Sequence, residues 1–324
     1  MDILSKIKQP VEGEMIQLNE IIAHALSSTS PLLSRVVAHY LTMTGKQIRP
    51  ILVLLTGRLM GEVKPETLHG AAAIELLHNS TLIHDDVVDE SKLRRGKATI
   101  NGIWDNRVAV LAGDYFVSCA LESALRTHSV EVVRILGLLG RMLASGEMEQ
   151  LSVVQSKIID EKAYFNVIRQ KTASLFISCM QVGAITSGMS AEQSEAVKNF
   201  GDRLGLCFQI KDDIFDYFAQ GEVGKPTRSD LAEGKVTLPL IYALTHEQGA
   251  HCDAMRALLQ KDELTDDDIT RLIAFAVDHG GVAYAEQVMY RLRDEAAACL
   301  APFASSPVVD SLMAVFDYVI SRTK

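Results

Sequence analysis

Two short acidic runs of the same form, Asp85-Asp86-Val87-Val88-Asp89 and Asp212-Asp213-Ile214-Phe215-Asp216, each close a long apolar stretch. In a helix the first and last aspartates of each run lie four residues apart and share a face. Negative charges one turn apart repel, and the middle aspartate adds a third. Beside buried segments such triads call for a cation. Hard divalent ions with oxygen ligands suit them, and Mg²⁺ binds through a few carboxylates plus substrate phosphates. Basic residues follow each run: Arg94-Arg95-Gly96-Lys97 after the first, Lys225 and Lys235 after the second. Mutual neutralisation on the surface contributes roughly 0–1 kcal/mol per pair. A bound diphosphate needs both charge types. Like charges ~4 Å apart repel by about 4 kcal/mol at an effective dielectric of 20, so aspartates cannot face phosphate directly. A bridging cation reverses that sign, and Arg and Lys take the remaining oxygens.

The elements that position these groups read as helices. No proline occurs between Pro65 and Pro226, and apolar residues recur there at helical spacing. Ile74, Leu77, Thr81 and Leu82 form one stripe; Val132, Val133, Leu136, Leu139 and Leu143 form another. Alternating β patterns are not expected. Thr265 can cap a helix whose first turn is Asp266-Asp267-Asp268 and which Gly280-Gly281 ends. That triplet needs no metal, being contiguous, at a helix start and without a basic loop behind it. Ser306 before Pro307 reads as another N-cap. Three Gly- and Lys/Arg-bearing connections, 43–50, 91–103 and 219–236, look functional. No linker divides the chain, so one all-α domain over 1–324 is expected.

The 324 residues are 48% hydrophobic, enough for a large core, and carry a net charge of −9. That balance argues against a general nucleic-acid binder. Cys119, Cys179, Cys207, Cys252 and Cys299 show no metal-ligand spacing and read as buried residues of a reducing compartment. No secretory leader is visible, and no stretch reads as the roughly 18–20 apolar residues of a membrane span. The expected setting is the cytoplasm.

Taken together, LIHDDVVDESKLRRGKAT, GKQIRP, KTASLF, FQIKDDIFDY and GKPTRSDLAEGKVTLPLIYAL resemble the trans-polyprenyl diphosphate synthase family, in its order and over about residues 44–244. The resemblance implies an all-α isoprenoid synthase fold, a helical bundle around a deep central cavity, usually a homodimer. It implies head-to-tail 1′-4 condensation of isopentenyl diphosphate with an allylic diphosphate. Asp85, Asp86, Asp89, Asp212, Asp213 and Asp216 would hold three Mg²⁺ ions on the allylic diphosphate. Arg94, Lys171, Lys225 and Lys235 would bind the same group. Lys46, Arg49, His78 and Arg95 would hold isopentenyl diphosphate, while Thr172 and Gln209 would face the allylic cation. With no evident protein base in the apolar segments, the released diphosphate is the expected proton acceptor. Transient membrane contact for product release is compatible with this reading.

One motif departs from the family pattern. Where GGKRxRP is common, this chain has Thr44-Gly45-Lys46-Gln47-Ile48-Arg49-Pro50, so Gln47 replaces an arginine. Glu147 and Gln150 read equally as cavity-facing or structural. Product length is read from the residues before Asp85. Ser80 and Thr81 lie one turn deeper, about 5.4 Å, where short-product members carry an aromatic floor. Both are small, Leu77 and Ile74 come next, and Phe116 or Met142 could form a lower floor. A product of roughly C30–C45, octaprenyl centrally, is expected from these small residues, and the family resemblance implies its use for quinone side chains. The alternatives are a non-catalytic subunit of a heteromeric synthase, a geranylgeranyl or farnesyl diphosphate synthase, and a terpene cyclase. Cyclases usually keep one DDxxD and need no isopentenyl site.

Overall fold

A computed structural model describes residues 3–43, 45–218 and 229–323. Its helices run in chain order as α1 (Ile3–Lys8), α2 (Glu12–Ala25), α3 (Pro31–Leu41), α4 (Ile48–Arg58), α5 (Pro65–Val88), α6 (Ile100–Ile103), α7 (Asn106–Leu125), α8 (Val130–Ser156) and α9 (Glu161–Ile168). They continue as α10 (Ser174–Ser187), α11 (Ala191–Phe215), α12 (Ser229–Ala232), α13 (Leu238–His246), α14 (Ala250–Leu258), α15 (Asp266–Asp278), α16 (Gly281–Cys299) and α17 (Pro307–Ser321). The fold is all-α. The expectation of no β structure needs one correction: a hairpin of β1 (Leu93–Arg94) and β2 (Lys97–Ala98) forms the only sheet among the described residues. Its turn residues Arg95 and Gly96 have φ of 53° and 73°. That is the doubly positive signature of a two-residue turn matched to strand twist.

The chain divides into two compact units. The first comprises Met1–Leu139, Phe176–Lys198 and Leu300–Val315; the second comprises Gly140–Leu175, Asn199–Cys299 and Phe316–Lys324.

In the first unit α5 packs against α2, α4 and α7. Pro65 starts α5 at a position where a missing N–H costs nothing. Ala71, Ala72, Ala73 and Ile74 are fully buried, as are Ile51–Leu55 of α4. Each large apolar side chain so removed from water contributes roughly 1.5–3 kcal/mol. The helix ends in a Schellman motif: Ser91 N–H donates to Asp86 O (2.9 Å) and Glu90 N–H to Val87 O (3.3 Å). Glu90 takes the left-handed position, φ 50°. The first acidic run is therefore the last turn of α5, with Asp89 as C-cap.

Helix α7 has the length and apolar content of a membrane span, which corrects the expectation that no stretch would. It includes Arg107, Asp114 and Glu122, and 44% of its apolar window is buried inside the protein. It packs on α5 as a core helix.

The second unit has its own core, in which Tyr217, Leu231, Leu240, Leu244, Met255, Leu272 and Phe275 are buried together. Here α15 has the expected Thr265 cap, reinforced by Asp268 in a capping box, and Lys261 pairs with Asp268 at 2.7 Å. Between α9 and α10, Arg169–Ala173 forms a π-turn. Such turns cluster at functional sites. All five cysteines are free thiols, four of them buried.

Candidate active site

In the first unit, the hairpin is docked from several sides. Arg94 donates from Nε and Nη2 to Asp86 Oδ1, both at 2.8 Å. Asn101 Nδ2 reaches Asp86 O (2.9 Å), and His39 Nε2 bonds Ala98 O (2.8 Å). Arg95 Nη1 donates to Met43 O at 3.0 Å. Its guanidinium lies over Gly45, where a Cβ would stand 2.3 Å from Nη1. Gly45 thus leaves the room that Arg95 fills.

Under this layer lie Glu75 and His78 of α5, 9% and 8% exposed. Burial pushes the Glu75 carboxyl up, and the charges of Arg49 and Arg95 pull it back. Burial, then the charges of Arg49, Arg95 and Arg94, hold the His78 imidazole well below its ordinary value. His78 is therefore neutral at pH 7, able to hydrogen-bond an anion while adding no charge. Lys46 is exposed at the entrance to α4. Gln47 is left-handed (φ 55°) and donates from Nε2 to Asn19 Oδ1 at 2.9 Å. The residue replacing the family arginine is thus tied to α2.

In the second unit, a cavity of about 130 Å³ gathers Gln150, Tyr164, Lys171, Thr172, Gln209, Asp213, Asp230 and Lys235. Val153, Val154, Val167, Ile168, Val236 and Ile241 supply an apolar wall. The π-turn presents Lys171 and Thr172 to it. Glu147 (2.6 Å) and Gln150 (3.2 Å) hold the Lys171 ammonium, giving both α8 residues a place in the site. Thr172 Oγ1 donates to Gln209 Oε1 (2.6 Å), whose Nε2 donates to Asp213 Oδ1 (2.8 Å). Tyr164 Oη donates to Asp213 Oδ2 at 2.5 Å. Gln209 thus links Thr172 to Asp213, and both Thr172 and Gln209 line the cavity. Burial alone would lower the Lys235 pKa, but a hydrogen bond to Glu233 and the charges of Glu233, Asp230 and Glu147 raise it.

The second acidic run straddles the end of α11, with Asp216 just past it. Each aspartate is held by a different element. Arg322, beyond α17, donates to Asp212 Oδ1 (2.6 Å); Tyr164 of α9 holds Asp213; the backbone N–H of Asp230 in α12 donates to Asp216 Oδ2 (3.0 Å). Tyr164, Asp230 and Arg322 were not singled out from sequence. Asp230 lies inside the quoted GKPTRSDLAEGK stretch, and Tyr164 stands two helical turns before Lys171. Lys225 lies outside the described residues.

Does this donor set fit divalent metal? Neither α5 nor α11 has a basic residue in its last turn. Their carboxylates therefore meet the negative end of the helix dipole. Burial, then the charge of Asp230, also raises the Asp213 carboxyl. Added positive charge relieves both. Among the described residues no three His, Cys, Asp or Glu side chains converge as a ready-made cage. Mg²⁺ takes a few carboxylates and completes its shell with water and substrate phosphates.

Around the predicted length-setting residues, Ser80 is 1% exposed and Ile74 and Leu77 are 0% and 8%. Thr81 is half-buried, its hydroxyl bonded back to His78 O at 2.8 Å. Phe116 is fully buried, edge-on to Tyr40 at 5.0 Å, whereas Met142 is 37% exposed.

Known proteins share this fold. The family model described as "Polyprenyl synthetase" matches residues 30–276. An octaprenyl diphosphate synthase from Haemophilus influenzae is 33% identical over 90% of this chain and 88% of its own. A nonaprenyl diphosphate synthase from Mycobacterium tuberculosis is 32% identical over 98% and 92%. Among solved structures, a decaprenyl diphosphate synthase from Rhodobacter capsulatus superposes with TM-score 0.91 at 35% identity, covering 99% of each chain. A polyprenyl synthase from Caulobacter crescentus, complexed with calcium and isoprenyl diphosphate, superposes with TM-score 0.90 at 31% identity, covering 99% and 98%.

Proposed function

The chain belongs to the polyprenyl synthetase family and is a prenyltransferase; from that premise we propose that it adds isopentenyl diphosphate units head to tail to an allylic diphosphate, giving an all-trans product of about C30–C45, octaprenyl foremost, a length supported by the small Ser80 and Thr81 one turn before Asp85 and by the long-chain relatives. The observation that carries this is the convergence of Lys171, Thr172, Gln209, Asp213 and Lys235 on one apolar-walled cavity.

Arg49, Lys46 and Arg95 bind isopentenyl diphosphate as cations, and neutral His78 adds a hydrogen bond. Arg94, Lys171, Lys225 and Lys235 take charge on the allylic diphosphate. Asp85, Asp89, Asp212 and Asp216 would hold Mg²⁺, three ions in all. Asp86 and Asp213, 5% and 4% exposed and already bonded by Arg94, Tyr164 and Gln209, support them from behind. When bound, Mg²⁺ neutralises the departing diphosphate. The allylic C–O bond breaks with its electron pair on oxygen, and the isopentenyl double bond attacks the cation. The proton lost from the adduct goes to the released diphosphate. The Val153–Ile241 wall keeps out water that would capture the cation. Residues 1–324 are read as a single polyprenyl synthase domain in a cytoplasmic homodimer. The exposed Leu111, Leu121 and Leu125 on one face of α7, 67%, 44% and 64% exposed, support the dimer.

The purified protein, given isopentenyl diphosphate, Mg²⁺ and geranyl, farnesyl or geranylgeranyl diphosphate in turn, yields a long-chain product resolvable by chromatography. No elongation from any primer sinks the proposal. Thr81→Phe places a ring one turn before Asp85 and shortens the product ladder. An unchanged ladder removes Thr81 from length control.

A further inference from the structure

We infer that Arg322 is a positioning residue for the second metal site, holding the Asp212 carboxylate from the far end of the chain. It stands well past residue 276, where the family match ends. Its Nη2 donates to Asp212 Oδ1 (2.6 Å) and to Phe208 O (3.0 Å). Its guanidinium lies over the Phe208 ring at 4.1 Å and near that of Phe215 at 5.5 Å. Phe208, Asp212 and Phe215 stand at i, i+4 and i+7 of α11, one continuous face.

The side chain is 11% exposed while Asp212 is 40% exposed, so a sheltered cation backs a more open carboxylate. Its Nε is buried without a hydrogen-bond partner. An unmatched buried donor is costly and rare, and a tail anchor alone does not need one. Two aromatic rings fix the guanidinium plane, and the charged hydrogen bond then fixes the carboxylate plane. Groups behind a metal ligand act in this way, and removing them typically weakens metal affinity about ten- to hundred-fold.

This inference rests on the reading of Asp212 as a metal ligand, and the test separates the two. Mn²⁺ affinity with inorganic pyrophosphate is measured by paramagnetic resonance of free Mn²⁺ on the full-length protein. Wild type is compared with Arg322→Gln, Arg322→Lys and Arg293→Gln. Arg293 pairs with Asp317 of α17 at 2.7 Å and serves as a lost ion pair whose carboxylate is outside the acidic run. Arg322→Gln weakens Mn²⁺ binding about ten-fold or more, Arg322→Lys weakens it less, and Arg293→Gln leaves it unchanged. Wild-type or tighter affinity in Arg322→Gln overturns the inference. If that variant does not fold, wild-type affinity in Arg322→Lys does so, because lysine lacks the fork that fixes the plane. A wild type that binds no Mn²⁺ overturns the metal site itself, and the role of Arg322 with it.

Discussion

Asp85→Ala lowers kcat by about three orders of magnitude and leaves the melting temperature equal to or above that of the wild type. The two effects have one origin. Asp85 stands in the last turn of α5, where the helix presents its own partial negative charge and contributes no basic residue of its own. A carboxylate there opposes the dipole by about 0.3–1 kcal/mol, so alanine relieves the fold. The same carboxylate is a proposed ligand for the cation that takes up charge on the departing diphosphate. Loss of several kcal/mol of such stabilisation corresponds to the stated drop. Steady-state kinetics beside thermal unfolding checks both halves. A variant that loses stability in step with activity would show Asp85 to be structural.

Gly146→Ala is expected to lower kcat/KM by about a hundred-fold without touching any charged group. A Cβ at Gly146 would lie 2.8 Å from the backbone N of Lys171 and 3.1 Å from the carbonyl carbon of Gln170. These are main-chain atoms of the π-turn and cannot rotate aside. The turn must shift, carrying Lys171 and Thr172 off the cavity they line, while the next residue, Glu147, still holds the Lys171 ammonium. Overpacking of this kind destabilises by about 1–3 kcal/mol, so helix content at 25 °C persists and the loss appears in turnover. Full activity in this variant would mean that the turn adapts.

The helical architecture and the ends of α5 and α11 were legible because proline spacing, apolar periodicity and acidic clusters are local signals. The hairpin was not, since its strands are two residues long and its turn is Arg95-Gly96 in place of the usual Asn-Gly or Asp-Gly. Sequence also treated the three aspartates of each run as equals. Burial separates them: the middle member faces the protein, where Arg94 or the Tyr164 and Gln209 pair meets it. Tyr164 reads as a core aromatic of an amphipathic helix until its hydroxyl is placed. Arg322 has no local signal, because its partner Asp212 is 110 residues away. The π-turn has no propensity signature either; packing of α8 against Gln170 and Lys171 shows why it stays in place.

The tight turn at Arg95 and Gly96 gives two adjacent arginines different addresses: Arg94 reaches Asp86, and Arg95 reaches Met43 over Gly45. Surface loops normally tolerate gains and losses of residues well, but this one cannot. One residue removed between Asp89 and Leu93 would bring Arg95 to the place of Arg94 and a glycine to the place of Arg95. One residue added would put Leu93 where Arg94 should be. Either change strips a cation from an anion it is proposed to hold, with every other residue intact. In this segment descent is expected to tolerate substitution at many positions and to forbid a change of length.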